Sequence, residues 1–486
     1  MRAFLPCSLL PVALFVLLAG CGARSSLLDS EPVSDPPIAE PPAPEFNCQV
    51  SNSARPMLAS RLGSGIFYTY PDTSSAQVFT FNVPPEMYIS RSDVIARGDR
   101  VAAFAYVRPL DAMSSTSPYV ETVVLDMDGM PISHGQYNVD PPNWGADYQL
   151  VGNANGLFVF TMFEGDTGFG VVAAEADVYT FDDLYAARTD PDSQGNMVVW
   201  KVGSNSTGDL HFFNTQAKTF TPSEFLADNT YKDIASTPTF WGSGLLYLMG
   251  NPNRLIFEDA AGRHEISLNV DLLLPGWASA GYITSNGHAM FALGGANEVN
   301  ARYLTTHFAT GEFREFSLVV PSGFATPGGY WNAPSVDASG RALFPLYNNQ
   351  LSQLHATADG QLWQPLGVPT ALGDQQPSIL ERAATIVYDG SGPPEGAPSN
   401  AWVGQILGPG EGESALLIRA EPGAPNNPYG AEDELSGDGR CLAYFRNGSL
   451  TIVEIPGYNV TDLGLTTDLY EAEMAWIPVA QKAADN

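Results

Sequence analysis

The chain has 486 residues, of which 47 are glycine and 38 proline; 15% are charged, and 22 Lys and Arg face 53 Asp and Glu for a formal net charge of −31. Such an acidic chain with no basic stripe argues against nucleic-acid partners and against docking on anionic lipid head groups. With 44% hydrophobic residues, dense Gly and Pro punctuation and no long amphipathic helical pattern, the body reads as globular, turn-rich and all-β.

In chain order, Arg2 precedes an apolar core from Leu9 to Leu18 and small residues before Cys21. That run is far shorter than the roughly 20 apolar residues of a membrane span, so residues 1–20 read as a secretory signal. Leu18-Ala19-Gly20-Cys21 resembles the bacterial lipobox, which implies acylation of Cys21. Two or three acyl chains anchor a protein stably where one does not. The alternative is an ordinary signal peptide with an incidental cysteine. Gly22 and Ala23 lack the Asp that would resemble an inner-membrane retention signal, which points to the outer membrane. Residues 21–47, with Pro32, Pro36, Pro37, Pro41, Pro42 and Pro44, read as an extended tether.

The body, 48–486, repeats one phrase, clearest from Ser335 to Gly367. There a polar turn (Asp337 to Gly340) leads into an apolar run (Ala342 to Leu346). A break at Asn348-Asn349, an alternating run (Leu351 to Ala356), a turn at Asp359-Gly360 and a last piece around Leu362 and Trp363 follow. This predicts three consecutive antiparallel strands. The turn and run recur after Gly65, Asp99-Arg100, Gly156, Gly195-Asn196, Gly244, Gly287-His288, Gly340-Arg341, Arg382-Ala383 and Gly439-Arg440. From Ile66 to Cys441 their mean spacing is about 47 residues. Four-stranded propeller blades repeat at about 40–50 residues, so the fold class predicted is a β-propeller. Nine units exceed the usual range of about four to eight blades. The reading therefore settles on about eight, within a span of seven to nine, with Ala383 to Leu417 taken as a decoration. Closure is predicted between the run Glu473 to Val479 and strands near Met57 to Leu62.

The last unit, Leu435 to Ile455, resembles the repeat of TolB-type bacterial propellers through Ser436, Asp438, Gly439, Leu442, Ala443 and Tyr444; Gly437 stands where that repeat has proline. Leu354 to Trp363 also resembles quinoprotein-type propeller repeats, although the other units lack the matching Trp. Both resemblances imply a fold and no activity. With Cys7 removed and Cys21 acylated, Cys48 and Cys441 remain. In an exported protein they most simply pair, bracing the two ends of the body; two buried free thiols are the alternative.

No catalytic residue is assigned. Gly276 to Gly281 lacks the first glycine of a serine-hydrolase elbow, and His264-Glu265 has no second zinc-protease histidine. His134, His211, His264, His288, His307 and His355 fall about one per unit and read as turn or surface residues. Asp126-Met127-Asp128-Gly129 and Asp190 to Gly195 begin like calcium loops, but Lys201 stands where the second would need Glu. Asp-Gly is also an ordinary hairpin turn, so no cofactor or metal is assigned and calcium stays the alternative. Ser335-x-Asp337-x-x-Gly340 is one residue too long for a sialidase Asp-box, and Thr357-x-Asp359-Gly360 followed by Trp363 fits it no better. Trp144, Trp241, Trp277 and Trp331 sit beside Gly or Pro, in expected loops where sugar stacking and interblade packing are both open. The function expected is a membrane-anchored, exported, non-catalytic binding or scaffold propeller with a protein or glycan partner. The alternative is a glycan-cleaving hydrolase or lyase.

Overall fold

Short apolar runs separated by Asx-Gly turns leave the chain little choice but antiparallel hairpins, and the strands described in the computed structural model pair in that way. It describes residues 54–478 apart from 112–115, 139–146, 154, 165–168, 175–176, 182–183, 188, 203–207, 223–238, 250–252, 269–278, 284–286, 294–301, 308–309, 326–334, 349–350, 372–377, 383, 390–401, 409–413, 421–432, 456 and 467–471. Among the described residues the strands form nine four-stranded antiparallel sheets.

Sheet 1 takes Leu58–Leu62, Gly65–Thr69 and Ser75–Thr80 from the beginning of the body and Ala472–Trp476 from its end. Sheet 2 comprises Met87–Arg97, Arg100–Pro109, Tyr119–Asp126 and Pro131–Asn138; sheet 3, Asp147–Gly152, Phe158–Glu164, Phe169–Ala174 and Asp177–Phe181. Sheet 4 has Leu184–Ala187, Asn196–Val202, Gly208–Asn214 and Thr219–Pro222, and sheet 5 has Thr239–Trp241, Gly244–Met249, Arg254–Asp259 and Gly262–Ser267. Sheet 6 holds Ser279–Ile283, His288–Leu293, Arg302–His307 and Glu312–Ser317, and sheet 7 holds Ser335–Val336, Ala342–Tyr347, Leu351–Thr357 and Gln364–Ala371. Sheet 8 runs through Ser378–Arg382, Thr385–Asp389, Trp402–Leu407 and Ser414–Ala420; sheet 9, through Glu434–Leu435, Cys441–Arg446, Ser449–Glu454 and Val460–Thr466.

Two details differ from the sequence reading. The stretch Ala383 to Leu417, taken as a decoration, supplies strands of sheet 8, so nine sheets and not eight stand among the described residues. Gly65 and its apolar run make the third strand of sheet 1 when counted from its buried edge, whereas the other eight runs are second strands. The second strand there, LASRL, places Ser60 and Arg61 in the interior, both at most 1% exposed, and so hides its apolar signature.

The closing strand falls where expected: Ala472–Trp476 pairs antiparallel with Leu58–Leu62, Leu58 opposite Trp476. It occupies the buried edge of sheet 1, a position filled elsewhere by the first strand of each sheet. Fourth strands form the exposed edges, alternating exposed and half-buried along Pro131–Asn138 and Val460–Thr466. Pro131, Pro222, Pro365 and Pro369 lie in fourth strands, where a missing N–H costs no ladder bond and blunts an open edge.

The core lies between sheets. Ile66 and Tyr68 of sheet 1 pack with Val101, Ala103 and Val123 of sheet 2. Phe104 and Val124 meet Phe158 and Phe160 of sheet 3. The series continues through sheets 4 and 5, 5 and 6, 6 and 7, 7 and 8, and 8 and 9. It returns to its start where Cys441, Ala443 and Phe445 of sheet 9 pack on Met57, Leu58 and Trp476 of sheet 1. Sheets in sequence that pack on their neighbours, with the last against the first, make a β-propeller.

Candidate functional site

The acidic turns come first, because their carboxylates were the candidate calcium ligands. Asp126 Oδ1 accepts the N–H groups of Asp128 and Met130 at 3.0 and 2.8 Å. Asp192 Oδ1 accepts those of Gln194 and Asn196, both at 2.8 Å, while its Oδ2 takes the side-chain amide of Asn196. Asn153 and Asp337 repeat the pattern in sheets 3 and 7, and in sheet 9 Ser436 Oγ takes the N–H groups of Arg440 and Cys441 instead. Each turn ends on a glycine in the left-handed region, with Gly129, Gly195 and Gly340 at φ +78°, +79° and +80°. The spacing therefore encodes an Asx-type turn that opens or joins strands. Among the described residues no group of three or more His, Cys, Asp or Glu is arranged to hold a metal.

The same turns lock neighbouring sheets. Arg55, just ahead of sheet 1, reaches the carbonyl of Gly98 at 3.1 Å and the carboxylate of Asp99 at 2.7 Å. Arg97 and Arg100 donate to the carbonyls of Gly152 and Gly156 in sheet 3. Asn153 donates to Asp192 O at 2.6 Å, and Asp190 accepts the N–H of Gly152. Burial pushes the Asp190 carboxyl above its usual range, against the pull of Arg97 and the Gly152 N–H. Thr385 makes the equivalent link to Gly439 O at 2.9 Å. These contacts fix a rim and leave its polar groups engaged.

The histidines are less scattered than their spacing implied. His355 is 6% exposed, with Nδ1 2.9 Å from Gln353 O and its ring edge-on to Phe324 and Trp363, so it belongs to the core of sheet 7. His134 Nε2 lies 2.8 Å from the buried Glu121, whose other oxygen accepts the N–H of Asn82. His288 and His307 are direct cross-strand partners in sheet 6. His211 lies on the third strand of sheet 4.

Thr357 Oγ1 and Asp359 Oδ1 spend their acceptor capacity on the turn Gly360 to Leu362. Leu362 and Trp363 belong to that turn, and the following strand starts at Gln364. Cys21, Cys48, Trp144, Trp277 and Trp331, together with the signal and tether, lie outside the described residues, while Trp241 ends the first strand of sheet 5. Cys441 is buried at the seam of sheets 9 and 1.

Sequence spacing did not reveal a cleft between sheets 5 and 6, of about 620 Å3. Its floor comes from one face of sheet 5, where strand alternation puts Leu246, Leu255, Phe257, His264 and Ile266 side by side. Phe257 and His264 are stacked, their ring centroids 6.5 Å apart. Thr310 and Gly311, from the last turn of sheet 6, form the opposite wall. Glu265 turns to the reverse face of the sheet, where it holds two guanidinium groups, Arg254 Nη1 at 2.8 Å and Arg263 Nε at 2.9 Å. On the reverse face Glu258 is buried and accepts the Tyr247 hydroxyl at 3.1 Å; burial first, then Glu258, raises the pKa of that phenol. The cleft thus has an apolar floor, and the charge-paired cluster lies on the other side of the sheet.

No protein-family model matches the sequence, and no curated protein sequence matches it. Solved structures with similarity include the β-propeller domain of the Trilobed protease from Pyrococcus furiosus, at 9% identity over 69% of this chain and 96% of that one, TM-score 0.32. Apo AztD from Citrobacter koseri is 11% identical over 87% of this chain and 98% of that one, TM-score 0.38. An oligogalacturonate lyase from Vibrio parahaemolyticus is 10% identical over 65% and 86%, TM-score 0.33. Similarities of this size carry no argument about what the chain binds or does.

Proposed function

We propose that the protein is an exported, lipid-tethered binding propeller that takes an apolar group of a protein partner into the cleft between sheets 5 and 6. The observation that carries this reading is the apolar floor of Leu255, Phe257 and Ile266 beneath the wall of Thr310 and Gly311. That floor supplies affinity for an apolar group, and the one carboxylate of the lining, Glu265, is turned to the reverse face and paired with Arg254 and Arg263. The glycan-cleaving alternative asks for two carboxylates roughly 5–10 Å apart with one free to act as acid; the cleft lining contains one, already engaged.

The rest of the reading comes from the sequence. Cys21 would carry the lipid, residues 21–47 the tether, and the absence of Asp after Cys21 favours the outer membrane. The acidic balance leaves nucleic acid out of the partner set, and the turn Ser436 to Gly439 is consistent with a TolB-type relation. Cross-linking the lipidated protein in its native membrane, followed by mass spectrometry, tests the proposal. One stoichiometric protein partner with cross-links mapping to sheets 5 and 6 is the expected result. Recovery of glycan alone would favour the alternative.

A further inference from the structure

The wall of the cleft is held by a histidine that leans on a second one. His307 ends the third strand of sheet 6 directly across from His288, which opens the second, and their ring centroids lie 4.5 Å apart at 75°. The backbone N–H of Thr310 is shared between His307 Nδ1 and His307 O, both at 3.2 Å, and Nδ1 also lies 3.1 Å from the Thr310 hydroxyl. With Nδ1 accepting, the neutral ring carries its proton on Nε2. Gly311 is tied to the same residue through His307 O at 2.9 Å. Thr310 and Gly311 are the two wall residues.

On its far side His288 meets sheet 7, where a Cβ on Gly340 would come within 3.0 Å of its ring. Titratable and charged groups face the pair from three sheets. Glu312 is the cross-strand partner of His307, and Arg314 on that strand donates to Ala358 O. Asp337 of sheet 7 has Oδ2 on Arg341 Nε at 2.8 Å, and Arg341 also reaches Gln364. From sheet 5, His264 faces the cleft, while Arg263 and Glu265 on the same strand turn to the reverse face. Burial and the charge of His307 hold the pKa of His288 below its ordinary value, against Asp337 and Glu312.

We infer that the His288–His307 pair is an acid-sensitive latch on the cleft: protonation turns His307 Nδ1 from acceptor to donor, breaks its bond from the Thr310 N–H, and sets two cations in contact. Its consequence for a partner, release on acidification, rests on the binding role proposed for the cleft; the latch itself is read without a ligand.

Hydrogen exchange followed by mass spectrometry on the full-length protein at pH 7.5 and 5.5, corrected for intrinsic rates, tests it. Exchange at amides 310–312 should rise about tenfold in the wild type, as expected for loss of one hydrogen bond with added charge repulsion. In His307→Gln, whose side-chain oxygen accepts without titrating, the rise should stay within about twofold. A flat wild-type profile, or an equal rise in His307→Gln, overturns the latch. If His307→Gln does not fold, His288→Phe decides: it keeps the ring contact without the second charge, so its rise should be smaller, and a full rise overturns the proposal. Failure of cross-linking at the cleft with the exchange pattern intact would count against the binding role alone.

Discussion

Arg55 Nη2 donates to the backbone carbonyl of Pro478 at 3.0 Å, joining residues 423 positions apart in the chain. The same guanidinium holds Gly98 O and the Asp99 carboxylate, so one side chain clamps the start of the body, its end and the first turn of sheet 2. Arg55→Ala removes three partners at once and should destabilise the fold by about 1–3 kcal/mol, most of it from the two carbonyls left short of a donor. Urea denaturation checks the magnitude. Loss of exchange protection centred on Ala472–Trp476 would locate the effect at the closure.

The turn chemistry makes a second prediction. Asp192→Ala strips acceptors from Gln194 N, Asn196 N and the Asn196 side chain, and should cost about 1–3 kcal/mol. Asp192→Asn, which keeps Oδ1, should recover more than half. Because these oxygens are already used, millimolar calcium or its removal by chelator should leave the melting temperature unchanged within about 1 °C. A larger calcium shift that disappears in the Asp192 and Asp126 variants would restore the metal reading of those turns.

Acid should weaken sheet 7 through His355. Burial lowers the pKa of this residue below its ordinary 6.5, partly offset by its bond to Gln353 O. The unfolded chain then binds the proton more readily than the native one, so stability is fully present above pH 6.5 and declines as pH falls toward the folded value. Melting temperature measured from pH 8 to 5 should fall on the acid side, and His355→Phe should flatten that slope. A variant with an unchanged slope would assign the acid sensitivity elsewhere.

We also propose the Cys48–Cys441 disulfide. Cys441 shares a core with Met57, nine residues after Cys48, so the short segment between them can reach. Thiol titration of the denatured, unreduced mature protein should find no free thiol in this pair. Cys441→Ser should lower stability by no more than about 5–6 kcal/mol, the chain-entropy ceiling for so long a loop. Two titratable thiols would contradict the pairing.

Much of the architecture could be read from the chain because each sheet announces itself locally. The turn Asp337 to Gly340 and the run Ala342 to Leu346 are a hairpin signal complete within ten residues, and its recurrence carries the propeller. Sheet 1 was read one strand out of phase because Ser60 and Arg61 interrupt the buried run of LASRL. Sheet 8 was undercounted because the Gly- and Pro-rich interior between Asp389 and Trp402 masks a long hairpin. The cleft was not legible at all: Phe257 and Ile266 meet Thr310 only when two sheets pack, and nothing in the local pattern of either sheet marks that contact. The His288–His307 pair has the same origin, since cross-strand register and not sequence spacing brings the rings together.

The most direct test of the binding role is site-specific photocross-linking in the native membrane, with a photoreactive phenylalanine analogue at position 264 on the exposed floor of the cleft. The account predicts one discrete protein adduct, abolished by Ile266→Asp and retained by a control substitution such as Val460→Asp on the exposed edge of sheet 9. No adduct at position 264, together with release of glycan fragments by the purified protein, would contradict it.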